Sequence, residues 1–135
     1  VHQIKGDFRQ ADLSEGKFDV IIATAVLHHL RDDQDWETVF RKLFRLLKKG
    51  GSVWIFDLIE QNSAPLQQLI YREKNGAFLT NLQNEVYRDH VFAYIEHEDT
   101  PRPLIYQLNL LAEVGFKDID VLHKNLCFAS FVAFK

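Results

Sequence analysis

The sequence predicts an α/β domain: a doubly wound, mostly parallel sheet that ends in an antiparallel hairpin. Three observations carry this. Residues 18–24 form a continuous apolar run with β-branched Val20, Ile21 and Ile22, the pattern of a strand covered on both faces. Trp36, Val39, Phe40, Leu43, Leu46 and Leu47 then recur at three- and four-residue steps, which places one apolar stripe on a helix. Finally, residues 116–122 and 127–134 are β-compatible runs joined only by His123-Lys124-Asn125-Leu126, close enough to pair antiparallel.

Taken in order, residues 1–5 read as a short edge strand that Gly6-Asp7 ends, followed by a loop through Ser14-Glu15-Gly16. After the strand at 18–24, Asp35 is placed to cap the helix. Lys48 and Lys49 suit its negative C-terminal end, and Gly50-Gly51 stops it. Residues 52–58 give the next buried strand and complete a βαβ unit. Residues 60–100 differ in character. Leu66, Leu69 and Ile70, then Phe78, Leu79, Leu82 and Val86, predict two amphipathic helical pieces broken near Asn75-Gly76, an insertion over one edge of the sheet. Thr100 and Pro101 open a last helix carrying Leu104, Ile105, Leu108, Leu111 and Ala112, which Gly115 closes.

At 135 residues and 47% hydrophobic content, the chain fits one domain with a sizeable core. The net charge of -3, with no basic block, does not favour nucleic acid as a partner. Cys127 is the single cysteine; in its apolar surroundings it reads as a core thiol, and a reducing cytoplasm is the expected setting. No apolar run approaches the roughly 18 residues of a membrane span, so no membrane role is expected. Methionine is absent, including at position 1, which favours a piece of a longer protein.

In an open α/β sheet, ligands bind at the C-terminal ends of the strands. The residues just past those ends are Asp7 and Phe8, Thr24 and Ala25, and Asp57. His28-His29 follows shortly after, at the mouth of the same region, where an imidazole can hydrogen-bond an acceptor. Adjacent residues on a helix point about 100° apart, which argues against joint metal chelation. Glu96-His97-Glu98-Asp99 reads as a solvated acidic loop, and Asp120 with His123 as a hairpin turn, so no metal is expected. Tyr71, Tyr87, Phe92 and Tyr94 read as walls for a pocket or, at helical spacing, more often as core. No triad order, reactive cysteine or phosphate loop occurs, and no catalytic residue is assigned.

Gly6-Asp7-Phe8, the run Lys17-Phe18-Asp19-Val20-Ile21-Ile22-Ala23-Thr24-Ala25-Val26-Leu27-His28-His29-Leu30, and Leu46-Leu47-Lys48-Lys49-Gly50-Gly51-Ser52-Val53-Trp54-Ile55 together resemble the second half of a class I S-adenosylmethionine-dependent methyltransferase. The resemblance implies a Rossmann-like sheet, here incomplete, with S-adenosylmethionine as cofactor. It implies that Asp7 and Phe8 meet the adenine ring and that Thr24 and Ala25 meet the methionine part. His28, His29, Asp57, Tyr71 and Tyr94 then face a small-molecule acceptor. The family's Gly-rich loop and ribose-binding acid do not occur in these residues, so the chain is expected to be the C-terminal part of a methyltransferase, inactive by itself. The competing expectation is a non-catalytic interaction module on the same fold, a homo-oligomer joined through an open sheet edge at residues 18–24.

Overall fold

A computed structural model describes residues 2–135. Strand β1 (Phe18–Thr24) pairs in parallel with β2 (Leu47–Leu58), while β3 (Lys117–Asn125) and β4 (Phe128–Phe134) form the closing hairpin. The sheet order is β1-β2-β4-β3, with β2 and β4 antiparallel. The result is a mixed Rossmann-like sheet, its parallel pair coming from the βαβ unit and its antiparallel pairs from the hairpin.

Helix α1 (Asp33–Leu46) is capped by Asp32 rather than Asp35: Asp35 lies inside the first turn and donates its N–H to the Asp32 carboxylate, which satisfies one orphan donor. The helix stripe through Leu46 is buried as the spacing predicts, while Leu47, also buried, already belongs to β2. Trp36, Val39, Phe40 and Leu43 pack with Val53, Ile55, Phe131 and Ala133 of the sheet and with Leu110 and Leu111 of α5 (Leu104–Val114). Gly115 ends α5 in the left-handed region at φ 113°, and a Cβ there would lie 3.1 Å from the Phe44 ring.

The other face of the sheet is covered by the insertion at Leu58 and open over much of the rest. Val20, Ile22, Trp54, Phe56, Phe128 and Phe134 are exposed on it, so the run at 18–24 is covered on one face rather than two. In β1 only Ile21 and Ala23 turn toward the core. Among the described residues no helix is long and apolar enough to cross a membrane.

Three further expectations about elements are corrected. Residues 2–5 form no strand, and residue 1 lies outside the described residues. A strand requires a hydrogen-bonding neighbour, and the nearest edge strand, β1, pairs only with β2. Second, α1 ends at Leu46 and β2 begins at once, so Gly50-Gly51 lies inside β2. There the register slips between the pairs Phe18 with Leu47 and Val20 with Ser52. Gly50 takes φ 79°, and a Cβ on Gly51 would sit 2.9 Å from the Asp19 carbonyl oxygen, so the two glycines permit a bulge and a close strand approach. Lys48 leaves the helix end and bonds Asp19 at 2.8 Å.

Third, the insertion does not break at Asn75-Gly76. Helix α2 (Ala64–Leu66), a π-helical segment (Gln67–Asn75) and α3 (Gly76–Leu82) are continuous, with Gly76 helical at φ -59°. Gly76 serves packing, since a Cβ there would touch the Phe92 ring at 3.4 Å. The break falls at Gln83 and Asn84. Asn84 accepts the Tyr87 N–H at 2.9 Å and caps α4 (Glu85–Glu98).

Leu58, Tyr71, Leu79, Phe92 and Cys127 form a second, smaller core between the insertion and the β3–β4 turn. Cys127 is fully buried, and that burial pushes its thiol up to about 11. Two pH units above the ordinary 9.0 leave roughly 100-fold less thiolate. Iodoacetamide should therefore modify the native protein at least that much more slowly than the urea-unfolded chain. Equal rates by mass spectrometry would show that the second core is not closed.

Candidate active site

The site is built at the tips of β1 and β2. Beyond β1, Ala25 takes the left-handed conformation at φ 52° and its N–H bonds the Phe56 carbonyl at 2.8 Å, so the chain turns sharply across the end of β2. The 3-10 turn Leu27–His29 follows. Asp57, fully buried near the end of β2, clamps this turn. Its carboxylate accepts the N–H of Leu27 at 2.6 Å, of Val26 at 3.3 Å and of its neighbour Leu58 at 2.8 Å. It also bonds Nδ1 of His28.

A third element completes the site. Asp99, the C-terminal cap of α4, is stitched to the same turn because the Thr100 N–H donates to the His28 carbonyl at 2.8 Å and the Thr100 hydroxyl donates to the Leu30 carbonyl. The Asp99 carboxylate then lies 2.9 Å from His29 Nδ1 and 3.8 Å from His28 Nε2. The two imidazole centroids are 4.2 Å apart. Burial disfavours charge on His28, but the bond to Asp57 and the charges of Asp57 and Asp99 outweigh it, so its pKa is held above the ordinary imidazole value.

A cleft of about 480 Å³ opens beside this cluster, with Asp7, Phe8, Ile22, Ala23, Leu27 and His29 among its walls. Its far wall is α1, through Val39 and Leu43. The loop carrying Asp7 and Phe8 is fixed by Lys42, whose ammonium donates to the Phe8 and Ala11 carbonyls at 2.6 Å each and lies 5.0 Å from the Phe8 ring centroid. Arg9 grips both oxygens of Asp7 and reaches Asp35 at 2.6 Å, and the Arg9 bonds hold the Asp7 carboxyl below its usual range. Asp7 therefore stays ionised, its two oxygens shared between the backbone N–H and guanidinium of Arg9, so a further donor would share an oxygen with Arg9. A second cleft of about 380 Å³ lies on the other side of the cluster, lined by Tyr71, Arg72, Glu96, Asp99, Thr100 and Arg102 among others.

The structure brings together His28, His29 and Asp57, and it places Asp7 and Phe8 on the first cleft. Thr24 and Ala25 stand at the β1 tip without lining that cleft; their neighbours Ala23 and Val26 do. Tyr71 walls the second cleft, its hydroxyl buried without a partner and pushed up to about 12, chiefly by burial. Tyr94 is 56% exposed and lines neither cleft. Asp120 and His123 lie on exposed positions of β3. Asp99 was missed. The run it ends reads as solvated, and His97 is indeed exposed, but the Asp99 side chain is only 3% exposed. Thr100-Pro101 directly after it is the sequence signal of a fixed turn rather than a free loop.

A Rossmann-like sheet with its cleft at the parallel strand tips and a helical insertion beside it is the arrangement in which open α/β folds bind ligands. A family model described as a methyltransferase domain matches residues 1–55. An uncharacterized methyltransferase of Anoxybacillus flavithermus is 35% identical over 85 residues, which are 61% of this chain and 40% of the relative. Human N-acetylserotonin methyltransferase, solved with S-adenosylmethionine, superposes with a TM-score of 0.61 at 20% identity, covering 98% of this chain and 33% of that one. The phosphoethanolamine N-methyltransferase 2 of Haemonchus contortus, solved with phosphomonomethylethanolamine and S-adenosylhomocysteine, gives 0.63 at 13% identity, covering 96% and 36%. At such identities these two structures speak for the fold. Residues 1–55 are thus similar to a methyltransferase domain, and the chain spans 35–40% of the length of the two curated methyltransferases it resembles.

Proposed function

We propose that the whole protein transfers a methyl group from S-adenosylmethionine to a small-molecule acceptor, with the adenosyl end in the cleft beside β1. The single observation that supports this most is that cleft: apolar walls from Phe8, Ala23 and Leu27, with an ionised acid, Asp7, on its rim. These residues suit an adenine ring, whose faces are apolar and whose exocyclic amine needs an acceptor. The cofactor supplies an electrophilic methyl group on a sulfonium. The chain's own part is alignment of donor and acceptor. The His28–Asp57 pair fixes one imidazole, and His29, half exposed on the rim of the cleft, offers a second to an acceptor hydroxyl or amine.

Calorimetry on the full-length protein with S-adenosylhomocysteine tests this. Saturable binding is expected, weakened about tenfold in Asp7→Ala through loss of one charged hydrogen bond. Binding unchanged in Asp7→Ala, or absent altogether, counts against the adenosyl placement.

A second reading, a non-catalytic module that pairs through the sheet, draws on the exposed apolar face of Val20, Ile22, Trp54 and Phe56. Sedimentation of the same samples separates the two. Stable self-association with no cofactor affinity favours the second.

A further inference from the structure

We propose that His28, His29 and Asp99 form a site for one divalent transition-metal ion, Zn²⁺ in the first instance. One ligand atom from each residue lies within 4.8 Å of the others. The separations of 2.9 and 3.8 Å from the Asp99 oxygens to the two imidazole nitrogens bracket the roughly 3.4 Å expected between ligands about 2.1 Å from a tetrahedral zinc.

Two independent features point to a cation between them. The first is an orphaned acceptor. Asp99 Oδ1 is buried and makes no hydrogen bond, because His29 Nδ1, although 2.9 Å away, is not aligned as a donor to it. A buried carboxylate oxygen without a donor is a costly arrangement that a metal would relieve. The second is the tautomer of His28. Asp57 is held in place by three backbone N–H groups and takes the fourth interaction from His28 Nδ1. With the Nδ1 proton committed to Asp57, the Nε2 lone pair of neutral His28 faces the Asp99 carboxylate at 3.8 Å. Lone pair and carboxylate repel unless a positive charge lies between them. A carboxylate behind a histidine whose other nitrogen faces the ligand centre is the second shell that metal-binding histidines use.

The backbone explains how neighbouring residues converge. Leu27–His29 is a 3-10 turn tied down by Asp57 and Thr100, and it presents Nε2 of one ring and Nδ1 of the next. Two imidazoles and one carboxylate suit zinc and its first-row neighbours rather than calcium or magnesium, which favour oxygen ligands. His29 is 49% exposed and borders one cleft while Asp99 borders the other, so a bound ion keeps open positions toward solvent. The site does not depend on the methyl-transfer reading, and its test does not use activity.

The competing occupant is a proton on His28 Nε2. Chelator-treated protein near neutral pH is titrated with Zn²⁺ by calorimetry and with Co²⁺ by visible absorption. One equivalent of Zn²⁺ should bind, and Co²⁺ should develop ligand-field bands. His29→Gln and Asp99→Asn should each weaken binding at least about tenfold. His97→Gln should not, since that ring is 83% exposed outside the cluster. Asp99→Asn alters a buried group, so near-ultraviolet circular dichroism checks its fold, and the half-exposed His29→Gln carries the test if that variant unfolds. No saturable uptake means that the proton alone fills the gap and overturns the proposal. So does affinity in His29→Gln equal to that of the parent.

Discussion

Asp57→Ala is expected to lower the free energy of unfolding by roughly 3–5 kcal/mol, the scale of breaking a buried charge pair from one side. Asp57 has no exposed surface, and its two oxygens serve the N–H groups of Val26, Leu27 and Leu58 together with the His28 ring. Alanine leaves those donors in a space that water does not readily reach, and each buried unpaired group costs about 1–3 kcal/mol. Asp57→Asn keeps the shape and one acceptor oxygen, so its loss should fall near the cost of a single charged hydrogen bond, about 1.5–3 kcal/mol. Urea titration measures both. The comparison holds while the m-values match, because a changed slope signals a changed reference state. A loss below about 1 kcal/mol in Asp57→Ala would show that the turn at Leu27–His29 holds itself without the carboxylate.

The importance of Asp57 was only half visible in the sequence. An acid near the end of a buried strand reads equally as a ligand for substrate or as a cap for the next segment. The structure assigns it to the preceding loop instead, through a bond that spans 31 residues to Val26. Periodicity does not report such pairings. What periodicity does report, it reported well. The stripe Trp36, Val39, Phe40, Leu43 lies in the core, and the short link between the last two apolar runs is a hairpin. Burial spacing and chain length determine both features locally.

The misread places share a cause: each depends on a partner far along the chain. Gly50-Gly51 looks like a helix stop until the Asp19 carbonyl is seen 2.9 Å from where a Gly51 Cβ would be. Gly76 looks like a break until Phe92 packs over it. Residues 2–5 look like a strand, but β propensity forms no ladder without a neighbour to pair with. Asp99 is the case that matters for function. It ends a run of polar residues, and only Thr100, reaching back 70 residues to the Leu30 carbonyl, carries it into the buried cluster.

The other large effect lies beneath the first cleft. Trp36→Ala should cost about 3–5 kcal/mol, the range for an aromatic removed from a core that cannot collapse around the void. Trp36 is fully buried, tilted against Phe40 at 5.6 Å and edge-on to Tyr106 at 6.2 Å, so it joins α1 to α5. Val39 and Leu43 of the same helix wall the cleft, and relaxation into the void would move them. Affinity for S-adenosylhomocysteine should therefore fall with stability in this variant. Trp36→Phe separates volume from polarity. The indole N–H is buried without an acceptor, a burden that phenylalanine removes while keeping a ring in place. Its net cost should be about 1 kcal/mol, well below that of alanine, because the relieved desolvation offsets part of the lost packing. If urea titration gives the two variants the same loss, the contact made by the far edge of the indole, toward Tyr106, is what joins the helices, and a benzyl ring is too short to replace it.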